Sequence, residues 1–433
     1  MPSRRVASLR TMETAVADEI EAQVVAVQTA APPRPGAFAP LRHRNYRLLW
    51  SGLIVSNTGG WMQFTALGYL MDQLTRAPVY LGLLGVTQAV PRLLFAFLGG
   101  VLADRMDRRR VLLATNIISM ASALALAILT ALRLIQVWHL LVIAGFNSLI
   151  HSFDMPARQS WTPSLVEDRE LLQAVSLNSM AFNGAGIFGP AFAGVLISLA
   201  GTAAAFFVNA ATYVAVIAAL LAMRMPAYAA EGRLSLRQDI REGLAIVSRH
   251  RSVLMLLLIV AALSFFGRPY IRLMPAVARE VLRIGPEGLG VLQAAPGVGT
   301  VLTVFVIGWT STRMYSGTML LGAAFTMGVM VTLFGLSSSF PLSVALLVAV
   351  GLGQSVAMAT ASTLLQTTVP AGARGRAMGL FGTVAFGMMA LGTLPAGAIA
   401  DLFGLSWGLA GGGVVLMVLI AGVAFFAPWI RRL

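Results

Sequence analysis

The chain alternates between long apolar runs and short polar segments, and this alternation predicts membrane-spanning helices. A spanning helix needs about 20 mostly apolar residues. Two predicted spans are interrupted, the fifth by Gly189 and Pro190 and the seventh by the segment 267–269. We therefore predict an all-α polytopic membrane protein with twelve transmembrane helices. They cover residues 47–71, 79–103, 111–132, 137–155, 171–199, 203–223, 253–275, 287–309, 318–336, 340–363, 376–400 and 405–428.

The second half of the chain repeats features of the first half at an offset of roughly 207 residues. A parallel repeat predicts two pseudo-symmetric six-helix bundles, with a substrate site between them near the bilayer midplane. We expect helices 1, 2, 4, 5, 7, 8, 10 and 11 to line a central cavity, and helices 3, 6, 9 and 12 to be peripheral. The matched residues include Leu81, Gly100, Gln159, Pro163 and Arg169, which recur as Leu289, Gly308, Gln366, Pro370 and Arg376.

Longer polar segments divide the chain into five regions. Apolar residues at helical spacing in the central linker indicate an amphipathic helix on the inner membrane face, or a plain connector without membrane contact. The predicted regions are a disordered cytoplasmic tail at 1–45, bundles at 46–223 and 253–428, the linker at 224–252 and a short tail at 429–433.

Composition and charge exclude several classes of protein. Hydrophobic residues make up 58% of the chain and charged residues 11%, whereas a soluble domain carries about 25% charge. The net charge of +14 comes from arginine, since lysine is absent. Because 24 of the 31 arginines fall on one side of the predicted topology, we expect both termini to be cytoplasmic and the chain to lie in the cell inner membrane. Short arginine-rich loops beside a membrane do not indicate a nucleic-acid partner.

The sequence offers no enzyme chemistry. Cysteine is absent, and without lysine there is no phosphate-binding P-loop. The four histidines have no metal-ligand spacing. We expect no catalytic residues, no metal and no cofactor.

The run GGVLADRMDRRRV follows helix 2, and it resembles the loop signature of the major facilitator superfamily. The resemblance implies a gate latch, in which Asp104 lies near the N-terminal end of helix 11, at 375–378, and Asp154 pairs with Arg105 or Arg108. The alternative is an ordinary positive-inside loop. The matching residues are Gly100, Asp104, Arg105, Arg108 and Arg109.

Several longer segments are similar to the superfamily branch that contains the enterobactin exporter and related transmembrane secretion effectors. They include PRLLFAFLGGVLADRMDRRR, GLGVLQAAPGVG and TVPAGARGRAMGLFG. The resemblance implies efflux from the cytoplasm, commonly with proton antiport. Gly189, Pro190 and Gly194 resemble a helix 5 motif of antiporters, although close helix packing is an equally good reading of these residues.

Ionisable residues at membrane depth are functional-site hypotheses by default. We expect Arg92 or Arg268 to point into the cavity, where either could attract an anionic substrate. Arg272 fits snorkelling to an interface, and Asp72 fits a solvated helix cap. The polar cavity residues expected on the inner helices are Asn57, Gln63, Asn178 and Gln354.

These observations predict a secondary active transporter that exports a small siderophore-like, drug-like or amphipathic molecule by alternating access. Proton coupling is implied by the resemblance. Two alternatives remain open: a lipid or lysolipid flippase, and a non-transporting sensor or assembly factor of the same fold.

Overall fold

The computed structural model describes residues 35–105, 107–223, 251–309, 316–370 and 373–432, without side-chain positions for 96–105, 304–309 and 432. The first 34 residues and nearly all of the predicted linker lie outside this range. Every regular element in the described residues is a helix. The α-helices are α1 (Arg44–Thr75), α2 (Pro78–Arg105), α3 (Arg108–Ala131), α4 (Val137–Trp161), α5 (Leu171–Ala222), α6 (Arg251–Gly267), α7 (Tyr270–Ala276), α8 (Pro286–Trp309), α9 (Gly317–Leu336), α10 (Phe340–Thr368), α11 (Arg374–Phe403) and α12 (Leu405–Phe426).

Nine segments of the described chain are long and apolar enough to cross a bilayer. Helices α1 and α8 are not among them, although both fall on predicted spans. The all-helical membrane architecture therefore agrees with the prediction, and the number of twelve spans stays a prediction.

Helix α5 consists of two spans that fold back on each other at Gly201. A straight helix of its 52 residues would be roughly 78 Å long, against a hydrocarbon core of about 30 Å. Gly201 has φ 79° and ψ 171°, a conformation that residues with a Cβ rarely adopt. The Tyr46 hydroxyl donates to the Ala174 carbonyl at 2.9 Å, and Arg44 Nη1 donates to the Ala222 carbonyl at 3.0 Å. Both ends of α5 thus lie beside the start of α1, as predicted helices 5 and 6 require.

The predicted seventh helix is divided into α6 and α7. Proline has no N–H group, and its ring clashes with the carbonyl four residues earlier, so Pro269 ends the helical ladder of α6. The chain restarts at Tyr270 and continues from α7 into a π-helical turn, Val277–Val281. Because of this break, residues before and after Pro269 do not share the helix face that they would share in one continuous helix.

The described chain includes residues 35–45, which the sequence analysis assigned to the cytoplasmic tail. Ala39–Arg42 form a 3-10 helix with Ala39 buried. Gln173 Nε2 donates to the carbonyl of Pro35 at 3.3 Å. The His43 ring and Glu170 are hydrogen-bonded at 2.6 Å, so this segment is fixed against α5.

The two halves of the chain meet through two equivalent pairs of helices. Helix α2 packs against α11, and the first span of α5 packs against α8. In the internal repeat, α2 corresponds to α8, and α11 corresponds to the first span of α5. The two contacts between the halves are therefore equivalent. The arrangement is therefore the one that the internal repeat predicts for two related bundles.

We call the end of the bundle where α1 begins the proximal end, and the end where α1 finishes the distal end. The halves are in close contact at the distal end. A methyl group on Gly194 would lie 2.5 Å from the Pro286 carbonyl oxygen, and one on Gly397 would lie 2.7 Å from that of Pro78. At the proximal start of α11, a methyl group on Gly375 would meet no atom within 4 Å. The halves are thus in contact distally, whereas the described atoms leave open space beside Gly375 at the proximal end of α11.

Candidate functional site

A cavity of about 260 Å³ lies between the two halves. Its wall comes from α2 and α4 of the first half and from α7 and α11 of the second half. Neither α3 nor α9 contributes to it. The polar lining residues are Gln88, Arg92, His151, Ser152, Gln159, Arg272, Thr383 and Thr393.

The distal end of the cavity is closed by direct backbone contact between α2 and α11. Thr393 Oγ1 donates to the Gly82 carbonyl at 3.3 Å. A methyl group on Gly82 would lie 2.6 Å from the Thr393 carbonyl oxygen. Towards the proximal end the wall reaches Gly382, where a methyl group would meet no atom within 4 Å. The cavity therefore has a distal floor, and its lining extends proximally to Gln159 in the last turn of α4.

Arg272 is held in the cavity wall by contacts to the first half of the chain. Its Nη2 donates to Gln88 Oε1, and its Cζ lies 4.2 Å from the ring centroid of Phe64. Its Nη1 is buried without a hydrogen-bond partner in the described chain. Arg92 lies in the same wall, exposed to the cavity, and close enough to Arg272 for the two charges to interact.

The break after α6 is accompanied by a change in which arginine lines the cavity: Arg272 does, and Arg268 does not. The sequence analysis placed Arg268 in the cavity and Arg272 at an interface, one helical turn apart. Arg268 lies in the bend between α6 and α7, next to Pro269, whereas Arg272 lies within α7. Arg272 lines the cavity, whereas Arg268 is not among the lining residues and its Nε is buried without a partner in the described chain.

Helix α4 carries an acid that the sequence analysis assigned to a gate latch. Asp154 accepts a hydrogen bond from Arg158 Nη2 at 2.7 Å, one turn away. It also accepts from Thr115 at 3.0 Å and from Asn116 at 3.2 Å, both on α3. His151, one turn before Asp154, faces the cavity. Asp154 therefore bonds within the first half in this structure.

The predicted gate motif lies at the junction of α2 and α3. Gly100, Asp104 and Arg105 are in the last turns of α2, where side-chain positions lie outside the described range. The expected contact between Asp104 and residues 375–378 therefore also lies outside it. Arg108 is the first residue of α3. Arg109 donates from Nε to the Leu220 carbonyl and from Nη2 to the Leu221 carbonyl, both at 2.9 Å. It thereby caps the proximal end of α5, where unpaired carbonyls favour a cation.

The predicted helix 5 motif makes the close helix contacts that its small residues permit. A methyl group on Gly189 would lie 2.9 Å from the Thr58 carbonyl oxygen of α1. One on Gly290 of α8 would lie 2.6 Å from the Pro190 carbonyl oxygen. With Gly194 facing Pro286, the motif packs against α1 on one side and crosses to the second half on the other.

The four other polar residues predicted for the cavity are not among its lining residues. Gln63 accepts a hydrogen bond from Asn209 of α5, and Asn178 lies between Tyr46 and Thr162. These two amides join helices within the first half. Asn57 is half-buried on α1, and Gln354 Oε1 is buried on α10 without a partner among the described residues.

An ion pair joins the two halves at the distal end. Arg279 donates from Nε to Asp72 Oδ2 at 2.7 Å and from Nη2 to Asp72 Oδ1 at 3.0 Å. The Asp72 side chain is only 3% exposed, so it is not the solvated cap that its position in sequence suggests. Two further contacts accompany the pair: Ser198 donates to Glu287, and the Val79 amide donates to Asp401 at 3.1 Å.

A separate groove of about 390 Å³ lies between α6, α11 and α12. Its lining is almost entirely apolar and includes Phe265, Phe266, Ile399, Phe403 and Trp407. Helix α12, which the sequence analysis expected to be peripheral, thus contributes to this groove and not to the central cavity.

The chain resembles known transporters over nearly its whole length. Residues 35–431 match the sequence profile of the transmembrane secretion effector family. The chain is 26% identical to the multidrug efflux pump Tap of Mycolicibacterium fortuitum, with 89% of this chain and 96% of Tap covered. It is 22% identical to macrolide efflux protein A of Streptococcus pyogenes, with 88% and 96% covered.

A solved structure shares the fold. A bacterial homologue of the human lysosomal transporter Spinster, in its inward-facing and unoccupied conformation, superposes with a TM-score of 0.71 at 16% identity. The match covers 90% of this chain and 98% of that one. The chain therefore belongs to the transmembrane secretion effector family, within the major facilitator transporters, and is not an enzyme.

Proposed function

We propose that the chain exports a small molecule by alternating access, in exchange for protons. The observation that carries this proposal is the central cavity, which is floored distally by contacts between the halves and lined proximally as far as Gln159 in the last turn of α4. Such a cavity can load from one side only. The names of the efflux relatives support a drug-like substrate, and the polar cavity wall argues against a sealed, non-transporting sensor.

The arginine distribution supports the proposed direction of transport. Arginine-rich loops favour the cytoplasmic side, and the predicted topology places them at the proximal end. Both termini are then cytoplasmic, the protein lies in the inner membrane, and the cavity faces the cytoplasm. An exporter loads its substrate from that side.

His151 is the group best placed to couple protons to the cavity. Histidine ordinarily titrates near pH 6.5, and this side chain lies in the cavity wall. Three charged groups act on it: Arg92 from α2, and Asp154 and Arg158 from its own helix. A proton gained or lost at His151 would change the charge that a substrate meets.

We also propose a role for the gate motif in the state in which the proximal end is closed and the distal end is open. When the proximal end closes, Asp104 would approach the N-terminal end of α11, and Asp154 would exchange Arg158 for Arg105 or Arg108. A helix N-terminus stabilises a nearby anion by about 0.3–1 kcal/mol. This term biases the gate without locking it. The proposal predicts that Asp104→Asn changes gate populations and transport rate, and unchanged values would reject it.

The apolar groove favours a second function, a lipid or lysolipid flippase. It is a lateral surface of the second half that an acyl chain could occupy. Helix α11 forms a wall of both this groove and the central cavity. Transfer of fluorescent lysophospholipid between leaflets of proteoliposomes, with no movement of a soluble drug, would favour this alternative.

Everted membrane vesicles test the proposed export directly. We expect vesicles containing the chain to accumulate at least one compound of a panel of erythromycin, other drug-like molecules and siderophores when a proton gradient is imposed. A protonophore should abolish this accumulation. Vesicles with the Gly194→Leu variant, in which the distal contact is obstructed, are the matched control.

Two results would contradict parts of this proposal. If every compound accumulates equally in control vesicles, export is rejected. If accumulation persists with the protonophore and follows a sodium gradient instead, export stands and the proton is replaced as the coupling ion.

A further inference from the structure

Among the residues that the structure describes, two arginines and no acid line the central cavity. Arg92 and Arg272 line it, and none of the lining residues within the described part of the chain is Asp or Glu. The nearest described carboxylate on α4, Asp154, accepts three hydrogen bonds from Arg158, Thr115 and Asn116. It is therefore engaged away from the two cavity arginines.

Two like charges in one membrane cavity are unfavourable unless an anion joins them. A charged residue at the bilayer centre is energetically costly when it is uncompensated. Arg272 retains a buried Nη1 without a hydrogen-bond partner in the described chain, and an unsatisfied buried donor adds its own cost. A bound oxyanion would neutralise the uncompensated charge and accept a hydrogen bond from the unsatisfied donor, because guanidinium groups match carboxylate and phosphate geometry.

We propose that the transported molecule is an anion, which binds by a carboxylate or phosphate group between Arg92 and Arg272. This inference rests on the proposed function and names the substrate class of the same cavity. Arg92 belongs to the first half of the chain and Arg272 to the second, so one anion would contact both halves at once.

The surroundings of Arg272 connect this binding to the movement of the halves. Gln88 of α2 accepts a hydrogen bond from Arg272 across the interface between the halves. An anion that approaches this guanidinium competes with Gln88. Phe64 stacks beneath the guanidinium at 4.2 Å, which holds it in orientation while the partner changes. Substrate binding would thus replace a direct contact between the halves by a bridged one.

Matched probes that differ in charge test the inference. The purified protein in nanodiscs would be titrated with 1-naphthoate, 1-naphthyl phosphate, 1-naphthamide and 1-naphthylmethylammonium, and binding measured calorimetrically. We expect one or both anions to bind, and the neutral and cationic probes to bind at least 10-fold more weakly. A preference between the two anions distinguishes a carboxylate from a phosphate substrate.

Variants locate the binding site. Removing one charge-assisted contact should lower anion affinity roughly 10- to 100-fold, so Arg92→Gln and Arg272→Gln should each lose this much. Arg272→Lys, which keeps the charge, should lose less and serves as a second variant if the first does not fold. Arg169→Gln alters an exposed arginine on the proximal surface and should bind as the unaltered chain does.

Some outcomes would overturn the inference while leaving export intact. They are equal binding of the neutral or cationic probe, unchanged anion affinity in both glutamine variants, or no binding of either anion. If vesicles also export a drug at the same rate in these variants, the chain is an exporter whose substrate is not an anion. Absence of transport for every compound would instead count against the proposed function.

Discussion

Asp72 and Arg279 form a two-bonded ion pair between the end of α1 and the π-helical turn after α7, and the carboxylate is almost fully buried. We expect Asp72→Asn to weaken closure of the distal end, because removing one member of a buried pair leaves the other charge unmatched. Arg279 would still be paired with Glu280, whose carboxylate lies 2.8 Å from its Nη2. We therefore expect the distally closed state to lose about 1–2 kcal/mol of stability, which shifts the ratio of closed to open molecules roughly 5- to 30-fold.

The chain contains no cysteine, which makes this shift measurable by maleimide labelling of a single cysteine placed near the distal floor. Labelling should accelerate in Asp72→Asn. Glu167→Gln, which alters an exposed pair with Arg169, is the control and should not change the rate. Equal labelling in Asp72→Asn and the unaltered chain would show that the pair does not hold the distal end closed.

A side chain at Gly194 should obstruct the distal contact between α5 and α8. A methyl group there would already approach the Pro286 carbonyl oxygen to 2.5 Å, so Gly194→Leu should abolish transport. Gly184→Leu is the control on the same helix, since a methyl group at Gly184 meets no atom within 4 Å. Uptake by vesicles, normalised to protein in the membrane, checks both. Full activity of Gly194→Leu would contradict the packing role of the motif.

Arg109 should stabilise the fold as a cap, independently of any latch. Arg109→Ala removes two charge-assisted hydrogen bonds to the last carbonyls of α5, at an expected cost of about 1–2 kcal/mol. The melting temperature in detergent should fall by a few degrees. Arg110→Ala, next along the chain and 84% exposed, should leave it unchanged. If the two variants have the same melting temperature, the Arg109 cap makes no measurable contribution to stability.

His151→Gln should separate substrate movement from proton coupling. Exchange of substrate across the membrane at equal pH should persist, because the amide keeps polar contacts in the wall. Accumulation driven by a pH gradient should be lost. His139→Gln, at the distal start of α4, is the matched control. Retained pH-driven accumulation in His151→Gln would assign proton coupling to another group.

The helices themselves were largely predictable, because span length and apolar character are local properties of the sequence. The fold-back at Gly201 agrees with the separate predicted helices 5 and 6. The sequence showed the division of the seventh helix only as an interruption. Which side chains face the cavity after the break depends on the direction that the backbone takes at Pro269, and the sequence does not give that direction. Arg272 lines the cavity wall, whereas the sequence analysis expected Arg92 or Arg268 there and Arg272 at an interface.

The site was less predictable because its contacts join distant parts of the chain. Asp72 and Arg279 are far apart in sequence, and no local pattern connects them. Gln88 carries no motif, and its role follows from facing Arg272. In contrast, Arg92 was predictable, because an arginine within an apolar run has few favourable positions in a membrane.

Spin-label distances at the two ends of the bundle test alternating access most directly. One pair would be Leu134→Cys with Leu336→Cys at the distal end, where both side chains are exposed. The other would be Asp168→Cys with Thr367→Cys at the proximal end, where both are also exposed. In nanodiscs at equal pH we expect a short distal and a long proximal distance. Introducing Asp72→Asn should lengthen the distal distance and shorten the proximal one in the same molecules. Two distances that stay fixed, or that lengthen together, would contradict transport by alternating access.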